Sequence, residues 1–230
     1  MNGSCKLSLT GNQLKLLALV TMTADHVGLV LLPQFPILRI IGRLAFPIYA
    51  WLIGEGCRHT RDLGRYFRDM ALLALVCQLG SWLATGSLYQ SVLVSFSIAI
   101  GLIWLLTKAK YAPVINIILF LLGLATTCFL CIVVPGLLPG TDFAIDYGLL
   151  GILLPILSWM GQGKWPKLVL FGSGLAALSV YYGGFQVWCL AALLPLALYS
   201  GTRGKSKVKY LFYFYYPAHL VIIYLLGQFL

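Results

Sequence analysis

The sequence predicts an all-α fold, a polytopic membrane helical bundle with about nine transmembrane helices. Hydrophobic residues make up 60% of the 230-residue chain and charged residues only 10%, with a mean hydropathy of +0.93. Such a composition is typical of a multi-span membrane protein. Apolar runs close to the ~20 residues that a helix needs to cross a bilayer also recur along the chain. Positive charges fall between these runs in a regular order.

Nine apolar runs account for most of the chain. They cover residues 13–33, 37–56, 69–86, 89–107, 112–134, 146–160, 167–182, 185–200 and 208–228. The sixth, seventh and eighth runs are shorter than the others. No cleavage site follows the first run, which we therefore expect to remain in the mature protein. No internal repeat or long linker interrupts the pattern, so we expect a single domain over residues 1–230.

The positions of lysine and arginine predict the orientation of the chain. If the N-terminus is cytoplasmic, the inner segments hold all but two of the 16 basic residues, and the outer loops hold none. These inner residues are Lys6, Lys15, Arg58, Arg61, Arg65, Arg68, Lys108, Lys110, Lys164, Lys167, Arg203, Lys205, Lys207 and Lys209. The positive-inside rule then predicts a cytoplasmic N-terminus and an external C-terminus. It also explains the net charge of +10, so we expect membrane lipids as partners and no nucleic acid.

Five ionisable side chains within the predicted spans carry most of the information about function, namely Asp25, His26, Arg39, Arg43 and His219. Each such group costs ~2.5 kcal/mol or more in a bilayer unless it has a partner or a water-filled cavity. At about 1.5 Å per residue, His26 and Arg43 lie at similar depths in the outer half of the membrane. Arg39 and Arg43 share a helix face at i, i+4. We therefore predict an ion pair between Asp25 and Arg43.

Two interpretations of this group are open. One is a buried network that only fixes helix packing. The other is a catalytic site in which His26, as neutral imidazole, is a general base. Asp25 cannot easily orient the ring of His26, because adjacent helical residues point about 100° apart. Pro47 and Pro217 are expected to kink their spans and open a cavity.

The remaining polar features also have two interpretations each. Tyr215 and His219 share a face at i, i+4, in a tyrosine stripe that is either aromatic packing or part of a site. The arginine-rich segment 58–69 either anchors to anionic headgroups or receives phosphates. The sequence YYGGFQVW, residues 181–188, is either an interfacial aromatic belt or a surface for an acceptor. Cys128 and Cys131 have CxxC spacing but no nearby histidine or acid, so we expect no metal site.

Several of these stretches resemble one known family. They are LKLLALVTMTADHVG, LRIIGRLAFPIYAWLIGEGCRHTR and FYYPAHL, in this order along the chain. They resemble the TraX family of conjugal-transfer membrane proteins, which are pilin N-acetylases of the membrane acyltransferase-3 clan. The resemblance runs from about Leu14 to Leu220. Where the family pattern has an asparagine near the start of the fourth span, this chain has Gln90-Ser91.

The resemblance implies an acetyltransferase of the bacterial cytoplasmic membrane, with acetyl-CoA as donor. The acceptor would be a peptide amine, as in a pilin, or a sugar hydroxyl. His26 would be the general base or a transient acetyl carrier, and Arg43 would stabilise the oxyanion or the thioester carbonyl. Asp25 would orient Arg43, and His219 would line the cavity. The residues implied to bind the donor are Arg39, Arg58, His59, Arg61, Arg65 and Tyr216.

Two rival functions follow from the same residues. A proton-coupled transporter would use Asp25, His26 and His219 as a relay and the arginines to bind an anionic solute. The absence of an internal repeat argues mildly against it. A non-catalytic membrane scaffold would leave the intramembrane charges unexplained.

Overall fold

The computed structural model describes residues 8–204 and 209–229, with side chains for 8–204 and 214–229. Within those ranges every element longer than an isolated β-bridge is helical. The helices are α1 (Gly11–Val30), α2 (Pro36–Gly42), α3 (Ala45–His59), α4 (Leu63–Thr85), α5 (Val92–Lys108), α6 (Pro113–Cys128), α7 (Val134–Leu137), α8 (Gly148–Met160), α9 (Lys164–Tyr182), α10 (Leu193–Ala197) and α11 (Lys209–Gly227). A π-helical segment, Phe129–Val133, joins α6 to α7, and a 3₁₀ segment, Gly184–Ala192, precedes α10.

The chain divides into two compact units. The first comprises residues 1–52 and 163–230, and the second comprises residues 53–162. In the first unit α1 packs against α2 and α11, and the 3₁₀ segment packs against α9 and α2. In the second unit α5 packs against α4, α6 and α8. The five ionisable residues that carry the functional prediction, from Asp25 to His219, all belong to the first unit.

Three helical stretches are long and apolar enough to cross a membrane. They are Pro36–His59, Leu63–Thr85 and Pro113–Leu137. Shorter apolar helices are Val92–Lys108, Gly148–Met160, Gly184–Ala197 and Phe214–Gly227. Large apolar side chains also project outward, with Val180 86% and Leu83 76% exposed. Lipid is the solvent that suits such a surface.

The second predicted span is two helices rather than one kinked helix. Helix α2 ends at Gly42, a turn follows at Arg43 and Leu44, and α3 begins at Ala45. Pro47 lies in the first turn of α3, where the helix needs no amide donor, and it cannot donate to the carbonyl of Arg43. The proline therefore separates two helices, and it places Arg43 at the end of α2.

Loops that the sequence assigns to one membrane face are hydrogen-bonded to each other. On the predicted inner face, the amides of Gly11 and Asn12 donate to the carbonyls of Thr202 and Arg203. On the predicted outer face, Ser87 and the amide of Leu88 donate to Asp142. The side chains of Lys6, Lys205, Lys207 and Lys209, which also support the predicted orientation, lie outside the described residues.

The outer acidic residues hold the loop that precedes α8. The hydrogen bond from Ser87 keeps the pKa of the Asp142 carboxyl below its usual range, with a smaller effect from the amide of Leu88. Tyr89 donates to Asp146 over 2.7 Å, and Ser95 donates to the carbonyl of Asp146. Both aspartates therefore have structural partners within the second unit.

Candidate functional site

One carboxylate, that of Asp25 on α1, holds two guanidinium groups from the chain that follows it. Arg43 Nη2 lies 2.5 Å from Asp25 Oδ1, and Arg39 Nη1 lies 2.8 Å from Asp25 Oδ2. The exposed fractions of the Asp25, Arg43 and Arg39 side chains are 16%, 13% and 25%. The predicted pair of Asp25 with Arg43 is present, and Arg39 joins it because i, i+4 spacing puts both arginines on one face.

This cluster keeps an excess of positive charge. Asp25 is the one acidic residue in the sequence of the first unit, since the other five acids of the chain are Glu55, Asp62, Asp69, Asp142 and Asp146. Two guanidinium groups and one carboxylate give these three side chains a net charge of +1. An arginine side chain does not lose its proton in a protein, so the charge persists. The cluster therefore favours an anion, or an oxygen that gains negative charge, at its surface.

Two glycines bring α1 and α2 close enough for this contact. A Cβ added at Gly42 would overlap the Asp25 side chain, and one added at Gly28 would lie 2.7 Å from Leu38 Cβ. Only glycine leaves room for a carboxylate at the first position. The four-residue link from Pro33 to Pro36 returns the chain directly alongside α1.

Replacement of Gly42 by alanine should destabilise the protein by about 1–3 kcal/mol, because the new methyl group forces α2 away from Asp25. Thermal unfolding in detergent measures the effect. Gly80→Ala is the matched control. Gly80 lies within α4 with nothing inside 4 Å of an added Cβ, so alanine there should raise stability by up to about 1 kcal/mol. Equal melting temperatures for the two variants would contradict the close packing at Gly42.

Two histidines meet beside this cluster. His26 on α1 and His219 on α11 have ring centroids 5.0 Å apart, with His219 Nε2 3.3 Å from His26 Nδ1. Each ring also places Nδ1 near a backbone carbonyl one turn earlier. His26 Nδ1 lies 3.0 Å from Met22 O, and His219 Nδ1 lies 2.9 Å from Tyr215 O.

These contacts assign the tautomer of both rings. A carbonyl oxygen only accepts, so each Nδ1 carries the hydrogen, and each Nε2 keeps its lone pair when the ring is neutral. His219 Nε2 then accepts a hydrogen bond from the Nδ1–H of His26, which is also directed at the carbonyl of Met22. The basic position of the two histidines is therefore the lone pair on His26 Nε2. His219 is suited to hold the His26 ring and to stabilise it when it is protonated.

Two tyrosines of α11 surround the His219 ring. Tyr215 stacks on it with centroids 5.2 Å apart and an interplanar angle of 10°, and Tyr216 meets it edge-on at 5.6 Å. Thr23 Oγ1 lies 2.9 Å from Leu19 O and 2.7 Å from the Tyr215 hydroxyl, so Thr23 donates to Leu19 and accepts from Tyr215. This chain of contacts fixes α11 against α1 and orients His219.

The site includes a polar residue that the sequence alone did not single out. Gln186, in the 3₁₀ segment, accepts from Arg43 Nη1 with its Oε1 at 3.2 Å. The sequence predicts that the surrounding YYGGFQVW is either an interfacial aromatic belt or a surface for an acceptor. The signal that could have identified Gln186 is an amide side chain within an otherwise apolar run, because a polar group at membrane depth requires a partner.

The residues implied to bind the donor divide into paired and unpaired groups. In the second unit Arg58 donates to the carbonyls of Trp159 and Gly161, and it lies 3.8 Å from Glu55, which is also 3.7 Å from His59. Arg65 lies 3.6 Å from Asp62.

Arg61 is exposed and makes no hydrogen bond or ion pair with any residue the structure describes. In the first unit Arg39 contacts Asp25, and Tyr216 contacts His219. Donor binding by these residues stays a prediction.

The described part of the chain holds no cluster of metal-ligating side chains. No group of three or more histidine, cysteine, aspartate or glutamate residues is suitably placed there to hold an ion. Cys57, Cys77, Cys128, Cys131 and Cys189 are free thiols. The described site is therefore built from imidazole, guanidinium, carboxylate and amide groups.

Comparison with known families gives a match over nearly the whole chain. The family model described as TraX protein matches residues 10–227. The chain belongs to the TraX family. Among curated proteins, it is 22% identical to the "Probable fimbrial assembly protein FimC, serogroup H1" of Dichelobacter nodosus, over 92% of this chain and 93% of that protein. An uncharacterized protein of Rickettsia prowazekii is 51% identical over 41 residues, which are 18% of this chain and 16% of that protein. No solved structure matches.

The match confirms the family indicated by the DH pair, the GRLAFP run and the YPAHL ending. All three stretches lie inside the matched range, and all three contribute to the described cluster. Asp25 and His26 come from the first, Arg43 and Gly42 from the second, and His219 from the third. Residues far apart in sequence are thus gathered in one unit.

Proposed function

We propose that this TraX-family protein is an integral membrane acetyltransferase of the bacterial cytoplasmic membrane. It transfers an acetyl group from cytoplasmic acetyl-CoA to an amine or hydroxyl of a membrane or extracytoplasmic acceptor. In this proposal the chain has about nine transmembrane helices, with its N-terminus inside and C-terminus outside, and forms a single domain. The observation that carries the proposal is the pair His26–His219 beside an arginine cluster with excess positive charge.

His26 performs the proton transfer. Its Nε2 lone pair takes a proton from the acceptor amine or hydroxyl as that group attacks the thioester carbonyl. His219 accepts from Nδ1–H of the same ring and so stabilises the imidazolium that forms. Collapse of the adduct breaks the carbon–sulfur bond, and the thiolate of CoA takes the proton from His26. The acetyl group is transferred and His26 returns to its neutral form.

Arg43 stabilises the oxyanion of the adduct through its charge. Asp25 holds the guanidinium in place, and Arg39 supplies the second positive charge. Electrostatic stabilisation of this kind is strongest where water is excluded and the charges are fixed before the reaction. In the partly buried cluster, the two ion pairs hold the charges in place.

The relatives support a choice between the two acceptor classes. One of them is named as a fimbrial assembly protein, and the TraX family includes pilin acetylases. We therefore favour a pilin amine over a sugar hydroxyl. Mass spectrometry of membrane and surface fractions, with and without the chain, should find a pilus subunit that gains one acetyl group. A His26→Ala strain should lose this gain, and an acetyl group found on a glycan alone would reassign the acceptor.

A proton-coupled transporter is the second candidate, because adjoining imidazoles such as His26 and His219 also suit a proton relay. The two functions differ in their use of acetyl-CoA. An acetyltransferase in detergent should show a thermal shift with acetyl-CoA. No shift at saturating acetyl-CoA would favour the transporter.

Replacement of Arg61 by alanine should raise the KM for acetyl-CoA by about tenfold with little change in kcat, because a guanidinium contact to phosphate is lost before the chemical step. Arg61 is the suitable probe because its exposed side chain is not engaged by the described residues. Arg68→Ala is the matched control, since Arg68 pairs with its neighbour Asp69 over 2.9 Å. Equal KM values for the two variants would indicate that this segment anchors to lipid headgroups and does not bind the donor.

A further inference from the structure

One face of the 3₁₀ segment is buried within the first unit. Its buried residues are Gln186, Cys189 and Ala192, which are spaced by three. A 3₁₀ helix has three residues per turn, so these side chains lie along one line, whereas an α-helix would rotate them progressively apart. Gly183 and Gly184, with φ of 59° and 52°, allow the sharp turn that begins the segment. This unusual geometry places Gln186, only 7% exposed, against Arg43.

The contact with Arg43 fixes which way the Gln186 amide points. A guanidinium only donates, so the oxygen of the amide must face Arg43 and the NH₂ group must point elsewhere. That nitrogen, Nε2, is buried and makes no hydrogen bond of normal geometry to residues 8–204 and 214–229. It interacts with the Cys189 thiol one turn along the segment, but a thiol is a weak acceptor and the amide has a second N–H. Buried donors in folded proteins nearly always have an acceptor. An oriented donor without one indicates a ligand atom that the protein itself does not supply.

We infer that Gln186 Nε2 donates a hydrogen bond to the carbonyl oxygen of the acetyl thioester. This inference rests on the proposed function. During transfer the acceptor nitrogen or oxygen bonds to the carbonyl carbon and its proton moves to His26, so the carbonyl oxygen becomes an oxyanion. The carbon–sulfur bond then breaks and CoA leaves with that proton. Gln186 keeps its own bonds throughout and only donates.

The arginine cluster explains why an oxygen that gains negative charge suits this donor. Arg43 donates to the Gln186 oxygen, and this draws electron density from the amide and strengthens its N–H groups as donors. The donor is fixed before substrate binds, as an oxyanion site requires. Arg43 thus acts on the oxyanion by its charge and through Gln186.

Two substitutions separate a donor role from a role in holding Arg43. Gln186→Met removes both the acceptor for Arg43 and the donor at similar length. Gln186→Glu keeps an oxygen for Arg43 but has no N–H, because the carboxylate stays ionised beside a guanidinium. If Gln186 only holds Arg43, the glutamate variant should behave as the parent. If it donates to the thioester, both variants should be impaired.

Infrared spectroscopy of bound [1-¹³C]acetyl-CoA reports the hydrogen bond directly. With the parent protein, the carbonyl band should lie at a lower frequency than for acetyl-CoA in solution, and both variants should lose most of this difference. Transfer of labelled acetyl into membrane fractions should fall about 10²-fold in each, as for loss of one oxyanion donor. Melting temperatures in detergent show that the variants are folded.

Three results would overturn the inference. The first is a carbonyl band, with the parent protein, at the same frequency as for acetyl-CoA in solution. The second is a glutamate variant that keeps the carbonyl band and the transfer rate of the parent. The third is a methionine variant that keeps both. Each of these leaves the proposed function standing, because acetyl-CoA is still bound. A parent protein that binds no acetyl-CoA would overturn the inference and the proposed function together.

Discussion

Replacing His26 with alanine should abolish acetyl transfer while leaving the protein folded. General base catalysis contributes about 10²–10⁴-fold, and no other described side chain in the first unit offers a basic lone pair in the same position. The ring is not needed to hold α1, whose N-terminus has its own capping box between Thr10 and Gln13. The measurement is the rate of labelled acetyl transfer from acetyl-CoA to membrane and surface fractions, with a melting temperature for each variant.

His26→Gln sharpens this test. Glutamine presents polar atoms in a similar volume but no basic nitrogen, so this variant should be as inactive as His26→Ala. Parental transfer by either variant would contradict the assignment. His219→Ala should retain more activity, because His219 orients and stabilises the His26 ring without taking the proton of the acceptor. A pH–rate profile distinguishes the two positions, because the fall in rate at low pH reports protonation of the general base. Loss of His219 should move this fall to a different pH, and loss of His26 should remove it.

The sequence was sufficient to predict the charge pairing of the site. A bilayer penalises isolated charges, so residues at equal depth on neighbouring spans must neutralise each other. Counting residues from the span ends placed Asp25 and Arg43 together, and the structure pairs them. The i, i+4 spacing of Arg39 and Arg43 likewise placed both on one face. Such arguments succeed because straight α-helices convert sequence distance directly into depth and direction.

The same argument fails where the backbone departs from a straight α-helix. Residues 185–200 were predicted as one span, but most of them form the 3₁₀ segment and the short helix α10. The different number of residues per turn changes which side chains face inward. Gln186 was therefore missed. Gly42 was missed for another reason, since its role is set by a tertiary contact with Asp25 that no local pattern records.

Orientation of the histidine pair also required coordinates. The sequence placed His219 near mid-membrane, and the family resemblance placed it in the same cavity as His26. Neither could give the ring nitrogens involved. The carbonyls of Met22 and Tyr215, each four residues before its histidine, determine the tautomers. The local geometry of α1 and α11 thus decides which nitrogen is basic.

Replacing Asp25 with asparagine should be the most destabilising single change in the cluster. It removes the one carboxylate that two guanidinium groups share, and breaking a buried ion pair costs about 3–5 kcal/mol. Because these side chains retain 13–25% exposure, we expect the lower end of that range. Unfolding in detergent should show the loss, and acetyl transfer should fall because Arg43 is no longer held in place.

Two further variants test whether charge is the cause. Asp69→Asn is the matched control, since its ion pair with Arg68 is exposed and should contribute at most about 1 kcal/mol. Arg39→Met should be tolerated, because it leaves Asp25 and Arg43 as a balanced pair. Combined with Asp25→Asn, it should restore part of the lost stability, since one uncompensated guanidinium is removed. If Asp25→Asn and Asp69→Asn cost the same, the cluster is not held by its charges, and the excess positive charge assigned to the site has no structural basis.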